Sequence, residues 1–151
     1  MEQLEKVKEF QRLFELPILD KPQLIDKKRA WLRISLIEEE LTELKEAVNA
    51  NDLVEVADAL CDLQYVLLGA VLEFGMGEKF VDMFNEVHRS NMSKVCSDIL
   101  EAIETQSHYL VNRQTESYIK QVGDKYFVLR LSDKKVLKSV SYSPAELNQF
   151  L

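Results

Sequence analysis

Apolar residues in the first two thirds of the chain recur every three or four positions, which is the spacing of amphipathic helices. Leu4, Val7, Phe10 and Phe14 predict a first helix. A second helix is predicted over 27–50, and its apolar stripe consists of Ile34, Ile37, Leu41, Leu44 and Val48. Because such stripes are normally buried, this part of the chain is expected to form packed helices.

Three further helices are predicted after residue 50. Asn51 and Asp52 favour the start of a helix over 53–74, because their side chains accept hydrogen bonds from free N–H groups at a helix start. Gly75 and Gly77 end that helix. The apolar residues of a fourth helix are Phe80, Val81, Phe84 and Val87, and a short fifth helix is expected over 99–103.

The last part of the chain alternates apolar and polar residues, as strands do. Strands are predicted over 118–122, 126–131 and 136–142, separated by turn residues. The predicted fold class is therefore all-α, an antiparallel four- to five-helix bundle with a small C-terminal β-hairpin or flap. Residues 1–105 are expected to form the helical domain, and 106–151 a β-containing extension packed on it.

The composition is that of a soluble globular protein, with 46% hydrophobic and 30% charged residues. A net charge of −7 argues against a nucleic acid polymer as a partner. Cys61 and Cys96 belong to no paired motif and the first residues lack an export signal, so a cytoplasmic location is expected. The segment 53–74 is long enough to cross a bilayer, but its acidic residues make insertion costly, and no membrane partner is expected.

The acidic residues of the predicted third helix lie on one side of it. On a helical wheel, Glu55, Asp58 and Asp62 fall within an arc of about 60°, and Glu73 returns to that arc further along. Most other residues of this helix are apolar, so it should be buried on most sides. Its acidic strip is therefore expected to face a partner helix or a cleft.

The second helix carries a matching acidic face. Glu40 and Glu43 are three positions apart and project on one side, with Glu39 beside them. No Lys or Arg occurs between Lys45 and Lys79, so facing carboxylates would repel one another unless a divalent cation lay between them. Oxygen ligands favour Mg²⁺, with Mn²⁺ as a substitute. The alternative is that these acids form ordinary solvated faces.

Residues that could hold a polyphosphate or a base lie elsewhere in the sequence. The polar candidates are Arg33, His88, Arg89, Asn91, Lys94, Lys135 and Lys138. Each has a simpler alternative; Arg33 can pair with a nearby glutamate, and a lysine near a helix C-terminus is favourable without any ligand. Phe10, Phe14 and Trp31 could stack on a base, but core packing is the simpler expectation.

These segments resemble the MazG-like all-α nucleoside triphosphate pyrophosphohydrolases. Residues 33–43 resemble the family's first metal segment, whose Glu-x-x-Glu core matches Glu40 and Glu43, with Glu39 as an accessory acid. Residues 57–66 resemble the second metal segment. Glu86-Val-His-Arg-Ser-Asn-Met-Ser-Lys94 is typical of a branch that includes dUTP-cleaving enzymes, and Lys135-Val-Leu-Lys138 with Tyr142-Ser-Pro144 resembles the tail of that branch.

The chain departs from the family pattern in the second metal segment, which is Glu-x-x-Asp. Glu55-x-x-Asp58 fits the spacing, but the residues that follow align Asp62 with the family aspartate and place Ala59 where the glutamate belongs. We prefer this second register, in which Asp58 replaces the missing ligand from one position earlier. Asp58 and Asp62 are one turn apart, so both can reach one metal or a close pair.

The resemblance implies a Mg²⁺-dependent enzyme that cleaves a nucleoside triphosphate between the α and β phosphates, in nucleotide-pool housekeeping. A uracil or cytosine deoxynucleotide is the first expected substrate, and the expected assembly is a homodimer or homotetramer. It implies the metal ligands Glu39, Glu40, Glu43, Asp58 and Asp62, of which Glu40, Glu43 and Asp58 also serve catalysis. The implied substrate-binding residues are Arg33, Arg89, Asn91, Lys94 and Lys138.

Two other functions are compatible with a helical bundle. A ferritin-like di-metal oxidase would carry Glu-x-x-His on two helices, and this motif is absent from the sequence. A non-catalytic helical module for nucleotide binding or protein interaction, with a degenerate metal site, would keep the bundle without the activity. Pyrophosphate release in the presence of Mg²⁺ discriminates between these possibilities.

Overall fold

The computed structural model describes residues 1–151 and contains five helices and one small sheet. The helices are α1 (Glu2–Leu13), α2 (Lys27–Ala50), α3 (Leu53–Glu73), α4 (Phe80–Met92) and α5 (Ile99–Arg113). Strands β1 (Ser117–Val122) and β2 (Lys125–Arg130) form an antiparallel hairpin, and a 3-10 turn spans Leu147–Phe150. The predicted fold class, all-α with a small β-hairpin, is confirmed.

The chain divides into two compact units, one of residues 1–81 with 150–151 and one of residues 82–149. The predicted domain boundary at residue 105 stays a prediction. No helix combines the length and the apolar composition that crossing a membrane would need.

Helices α2 and α3 form a helical hairpin that dominates the first unit. Asn51 ends α2 in the left-handed conformation, with φ of 54°, which Asn tolerates better than most residues. The side chain of Asp52 then accepts hydrogen bonds from the N–H groups of Val54 and Glu55, at 3.0 and 3.2 Å. This two-residue link makes the helices antiparallel and fixes which faces meet.

The core of the first unit lies between α1 and α3. Leu4 and Val7 of α1 pack with Leu68, Val71 and Leu72 of α3. The segment between α1 and α2 returns to the end of α3, where the N–H groups of Leu19 and Gln23 bond the carbonyls of Leu72 and Phe74, at 3.0 and 3.1 Å. The C-terminal end of α3 is thereby held by its neighbours in the fold.

The apolar stripe predicted on α2 is largely exposed, which corrects the expectation that it is buried. Ile34, Leu41 and Val48 are exposed, whereas Arg33 and Ala47 are the buried residues of the helix. The reason is that α2 meets α3 along a face to one side of the stripe.

The aromatic residues assigned to core packing are also exposed. Phe10, Phe14 and Trp31 expose 39%, 58% and 65% of their surfaces, so the expectation of core packing is wrong for this chain by itself. The core of the first unit is built from smaller aliphatic residues of α1 and α3.

The second unit differs from the prediction in two places. Helix α5 ends at Arg113 rather than near residue 103, because Ala102 and the polar Thr105 occupy its buried positions and hide the apolar period. Residues 136–142 form no third strand beyond one isolated bridge between Val136 and Leu129. Their backbone instead donates hydrogen bonds to side chains of α5; the N–H of Val140, for example, donates to Thr105 Oγ1 at 3.1 Å.

Candidate metal centre

An acidic cleft of about 470 Å³ opens between the two helices of the α2–α3 hairpin. Its lining residues are Glu43, Glu46, Ala47, Ala50, Asp52, Glu55, Asp58 and Ala59. The antiparallel link at residues 51–52 places the acids of the two helices on opposite walls. Two of the predicted metal ligands, Glu43 and Asp58, therefore face the same space.

Glu40 is the most constrained of the predicted ligands. It is half-buried, and its Oε2 atom is fully buried with no hydrogen-bond partner. Burial raises the pKa of Glu40, and the negative charges of Glu43, Asp62, Glu39 and Asp58 raise it further. The other four predicted ligands thus lie close enough to Glu40 to act on it electrostatically.

No cation of the protein relieves this repulsion. The ion pairs of the chain involve other acids, and none includes a predicted metal ligand. A buried carboxylate oxygen without a partner is costly, and a divalent cation would supply the missing partner. The donor set, which is made of oxygen atoms only, fits a hard cation such as Mg²⁺.

The side chains do not form a finished coordination sphere. No three Asp, Glu, His or Cys side chains lie close enough together to hold a metal ion as they stand. Glu39, Glu43 and Asp58 are exposed, so their side chains keep the freedom to turn. The carboxylates are therefore close enough to affect the charge of Glu40, but their oxygen atoms do not yet surround one point as metal ligands would.

Glu55 lies in the cleft but was left out of the predicted ligand set. Glu55 lines the same space as Asp58 and Glu43, as the Glu55-x-x-Asp58 register predicts. Asp62, which is also on α3, does not line this cleft, but its charge raises the pKa of Glu40 on α2. The spacing of three positions was the sequence signal for Glu55. Ala59, which occupies the family glutamate position in the preferred register, is buried and also lines the cleft.

Arg33 lies in a buried ion-pair network rather than in the cleft. Arg29 and Arg33 of α2 both donate hydrogen bonds to the carboxylate of Glu73, which is 1% exposed. Burial alone raises the pKa of Glu73, but the bonds from Arg33 and Arg29 outweigh it and lower the pKa below its usual value. Arg33 thus has the glutamate partner that the sequence left open, and its role toward substrate stays a prediction.

Arg89 holds the C-terminal segment of the second unit against α4. Its guanidinium bonds both carboxylate oxygens of Glu86, at 2.8 and 2.7 Å, and also Ser143 Oγ and the Pro144 carbonyl, at 3.0 and 2.8 Å. The bond from Arg89 and another from the backbone N–H of Glu146 lower the pKa of Glu86 to about 2. The donors of Arg89 are therefore engaged within the protein.

The remaining predicted phosphate-binding residues form a cluster around Tyr142. Lys94 Nζ donates to Asn91 Oδ1 at 2.7 Å, and Lys138 Nζ lies 4.1 Å from the centre of the Tyr142 ring. A hydrogen bond with Ser90 lowers the pKa of Tyr142, and the charges of Lys138 and Lys94 lower it further. The structure thus brings Asn91, Lys94 and Lys138 into one group, although Lys138 is far from the other two in sequence.

The chain is similar in sequence to a known protein family and to one viral protein. Residues 7–91 match the family described as phosphoribosyl-ATP pyrophosphohydrolase, and this segment contains all five predicted metal ligands. An uncharacterized protein of Acanthamoeba polyphaga mimivirus is 32% identical over 120 residues, which are 74% of this chain and 44% of the viral protein. The chain therefore spans less than half the length of that relative. The resemblance inferred from the metal segments is confirmed: the chain belongs to the phosphoribosyl-ATP pyrophosphohydrolase family, within the superfamily of MazG-like nucleoside triphosphate pyrophosphohydrolases.

Proposed function

We propose that the protein is a Mg²⁺-dependent hydrolase that cleaves a nucleoside triphosphate into a monophosphate and pyrophosphate. One observation carries the proposal: Glu40 buries a carboxylate oxygen without a partner while four other carboxylates act on it. Such an arrangement is costly unless a divalent cation offsets it. Membership of a pyrophosphohydrolase family supports the same activity.

The proposed roles divide the acids by exposure. Glu40, half-buried at the base of the group, would anchor the ion, and Glu39, Glu43, Asp58 and Asp62 would turn onto it. A bound Mg²⁺ neutralises phosphate charge and lowers the pKa of a bound water. Because Glu55 lines the same cleft, it is a candidate for a further ligand or for the carboxylate that orients the attacking water.

Asn91, Lys94 and Lys138 are proposed to bind the triphosphate. Both lysines are close to Tyr142 and neither forms an ion pair with an acidic residue, so their charges are available to an anion. Arg33 and Arg89 are engaged with Glu73 and Glu86, so we assign them positioning roles. The proposed substrate is a uracil or cytosine deoxynucleotide, and the proposed role is nucleotide-pool housekeeping in the cytoplasm.

A homo-oligomer is part of the proposal because two helices expose apolar residues along one side. Trp31, Ile34, Leu41 and Val48 on α2 are exposed, as are Leu53, Leu60 and Leu67 on α3. Exposed apolar rows of this extent mark interaction surfaces. A second copy of the chain is the proposed partner, as a dimer or tetramer.

The test of the activity is pyrophosphate release from a panel of canonical and modified deoxynucleoside triphosphates, with Mg²⁺ or with EDTA. We expect release that EDTA abolishes and that Glu43→Ala lowers about 100-fold or more, since losing a metal ligand removes several kcal/mol of charge stabilisation. Glu38→Ala is the matched control, because Glu38 is exposed on the same helix and outside the cleft. Equal loss in both variants, or release that EDTA does not affect, would contradict the proposal.

A non-catalytic nucleotide-binding module is the second candidate function. Ala59 favours it, because in the preferred register this residue stands where the family has a metal-binding glutamate. In the same panel, a non-catalytic module would bind Mg²⁺-nucleotide without releasing pyrophosphate from any of the substrates.

A further inference from the structure

A small pocket lies between α1 and α3, separate from the acidic cleft. Its volume is about 190 Å³, and its lining residues are Gln3, Lys6, Val7, Cys61, Gln64, Tyr65 and Leu68. Val7 and Leu68 are buried and form apolar wall, while the two glutamines and Lys6 bring polar groups to it. Apolar walls with a few polar groups are typical of small-molecule sites.

The pocket lies next to the proposed metal ligands along α3. Asp58, Asp62 and Tyr65 fall within an arc of about 60° on the helix, and Tyr65 follows Asp62 by three positions. Cys61, which also lines the pocket, directly precedes Asp62, so the pocket lies alongside the last proposed ligand on α3. The part of a bound molecule that lies beside Asp62 would therefore be near this pocket.

Exposed aromatic rings border the pocket. The Phe10 and Tyr65 rings lie edge to face, with centroids 5.6 Å apart and planes at 86°, and Phe10 also contacts Phe14 at 4.4 Å. Neither Phe10 nor Phe14 belongs to the aliphatic core of the first unit. Phe10 does, however, hold the ring of Tyr65 in place at the pocket.

We propose that this pocket binds the base of the nucleotide substrate, an inference that rests on the proposed function. The pocket is smaller than the roughly 300–1,000 Å³ of sites that enclose a whole drug-sized ligand, so it suits one flat ring rather than an entire nucleotide. Bases stack on aromatic side chains and are read at their edges by hydrogen bonds. Tyr65 supplies the ring, and Gln3 and Gln64 supply amides that both donate and accept.

The two cysteines of the chain make the occupancy of this pocket measurable. Cys61 is exposed at the pocket, and Cys96 is fully buried in the second unit, so a thiol reagent should modify Cys61 selectively. The probes are the α,β-imido analogues of the four deoxynucleoside triphosphates, which resist cleavage, and inorganic tripolyphosphate, which has the phosphates but no base. All are compared in the presence of Mg²⁺.

We expect at least one imido analogue to slow Cys61 alkylation roughly tenfold while tripolyphosphate leaves it unchanged. Equal protection by tripolyphosphate, or no protection by any analogue, would overturn the proposal. If Cys61 is protected at high protein concentration without any nucleotide, a second copy of the chain covers the pocket. That result would also overturn the proposal. This measurement does not depend on turnover.

A blocking variant separates this proposal from the proposed function. Cys61→Trp fills the pocket, and we expect it to raise KM for the preferred substrate roughly tenfold or more with a smaller effect on kcat, which is the range expected for lost base stacking. Glu5→Trp, on the exposed side of α1, is the control, and thermal unfolding checks that both variants are folded. If the wild type is active and Cys61→Trp has the same KM, the proposed base pocket alone is contradicted. If the wild type is inactive, the proposed function is contradicted.

Discussion

Arg33 and Glu40 lie seven positions apart on one face of α2, and only Arg33 has an oppositely charged partner. Arg33 is buried and has the carboxylate of Glu73 as its partner. Glu40 buries an oxygen atom and has only other carboxylates nearby. Glu73 compensates the charge of Arg33, whereas no residue of the chain compensates that of Glu40. Glu40 therefore indicates a cation that the chain itself does not supply.

At the same scale, two glycines with positive φ allow a matched prediction. Gly75 has φ of 72°, and a Cβ atom there would overlap the carbonyl of Lys21, whereas Gly123 has φ of 61° and open space around it. We expect Gly123→Ala to cost about 1–2 kcal/mol of unfolding free energy, the usual penalty of a left-handed backbone. Gly75→Ala should cost about 3 kcal/mol or more, because the Lys21 segment must also move.

Urea unfolding of the two glycine variants measures this difference. Losses of equal size would show that the approach of the Lys21 segment to the end of α3 is loose. The segment between α1 and α2 would then not be held tightly against Gly75.

At the scale of elements, the sequence predicted α2 and α3 well because their boundaries are set locally. Asn51, Asp52 and Gly75 determine where these helices end or begin through backbone geometry and capping. The length of α5 could not be read from apolar spacing, because Thr105 is buried through hydrogen bonds rather than through apolar contact. Residues 136–142 have the composition of a strand, but their hydrogen bonds go largely to side chains.

The α2–α3 pairing predicts how stability depends on pH. The pKa of Glu73 is lowered in the folded state, so its ionised form contributes stability that is fully present above about pH 4.5 and is lost as the pH falls through the lowered pKa. Glu73→Gln should cost about 3–5 kcal/mol near pH 7, because Arg33 is then left buried without a charged partner.

Chemical unfolding of the wild type and Glu73→Gln at pH 7, 5, 4 and 3 tests this dependence. The difference in unfolding free energy should narrow as the pH falls, since acid neutralises Glu73 in the wild type. A difference that stays constant down to pH 3 would mean that the ion pair contributes nothing specific.

At the scale of the whole molecule, exposed apolar residues dominate the outer sides of α2 and α3. The sequence identified the α2 stripe but assigned it to the interior, because spacing alone cannot tell a buried apolar stripe from an exposed one. The acids of the candidate metal centre were predictable from helical periodicity and the charge pattern. The cluster of Lys94 and Lys138 around Tyr142 and the pocket beside Tyr65 were not, because both depend on contacts between distant segments.

The exposed stripe predicts a change in assembly. Leu41→Lys places a charge in the proposed surface between copies and should shift the protein to the monomer, as measured by light scattering after size-exclusion chromatography. Leu24→Lys is the control, since Leu24 is highly exposed but lies in the segment between α1 and α2. A wild type that is monomeric, or a Leu41→Lys variant that assembles as the wild type does, would contradict the proposed homo-oligomer.

The most direct test of the account is a calorimetric titration of the wild type and Glu40→Gln with Mg²⁺, together with the thermal midpoints of the metal-free proteins. Glu40→Gln removes a half-buried negative charge that four other carboxylates repel, so the metal-free variant should melt above the wild type. The wild type should bind Mg²⁺ saturably and gain stability from it, and the variant should lose both responses. Equal Mg²⁺ binding by the two proteins, or none by the wild type, would contradict the metal centre.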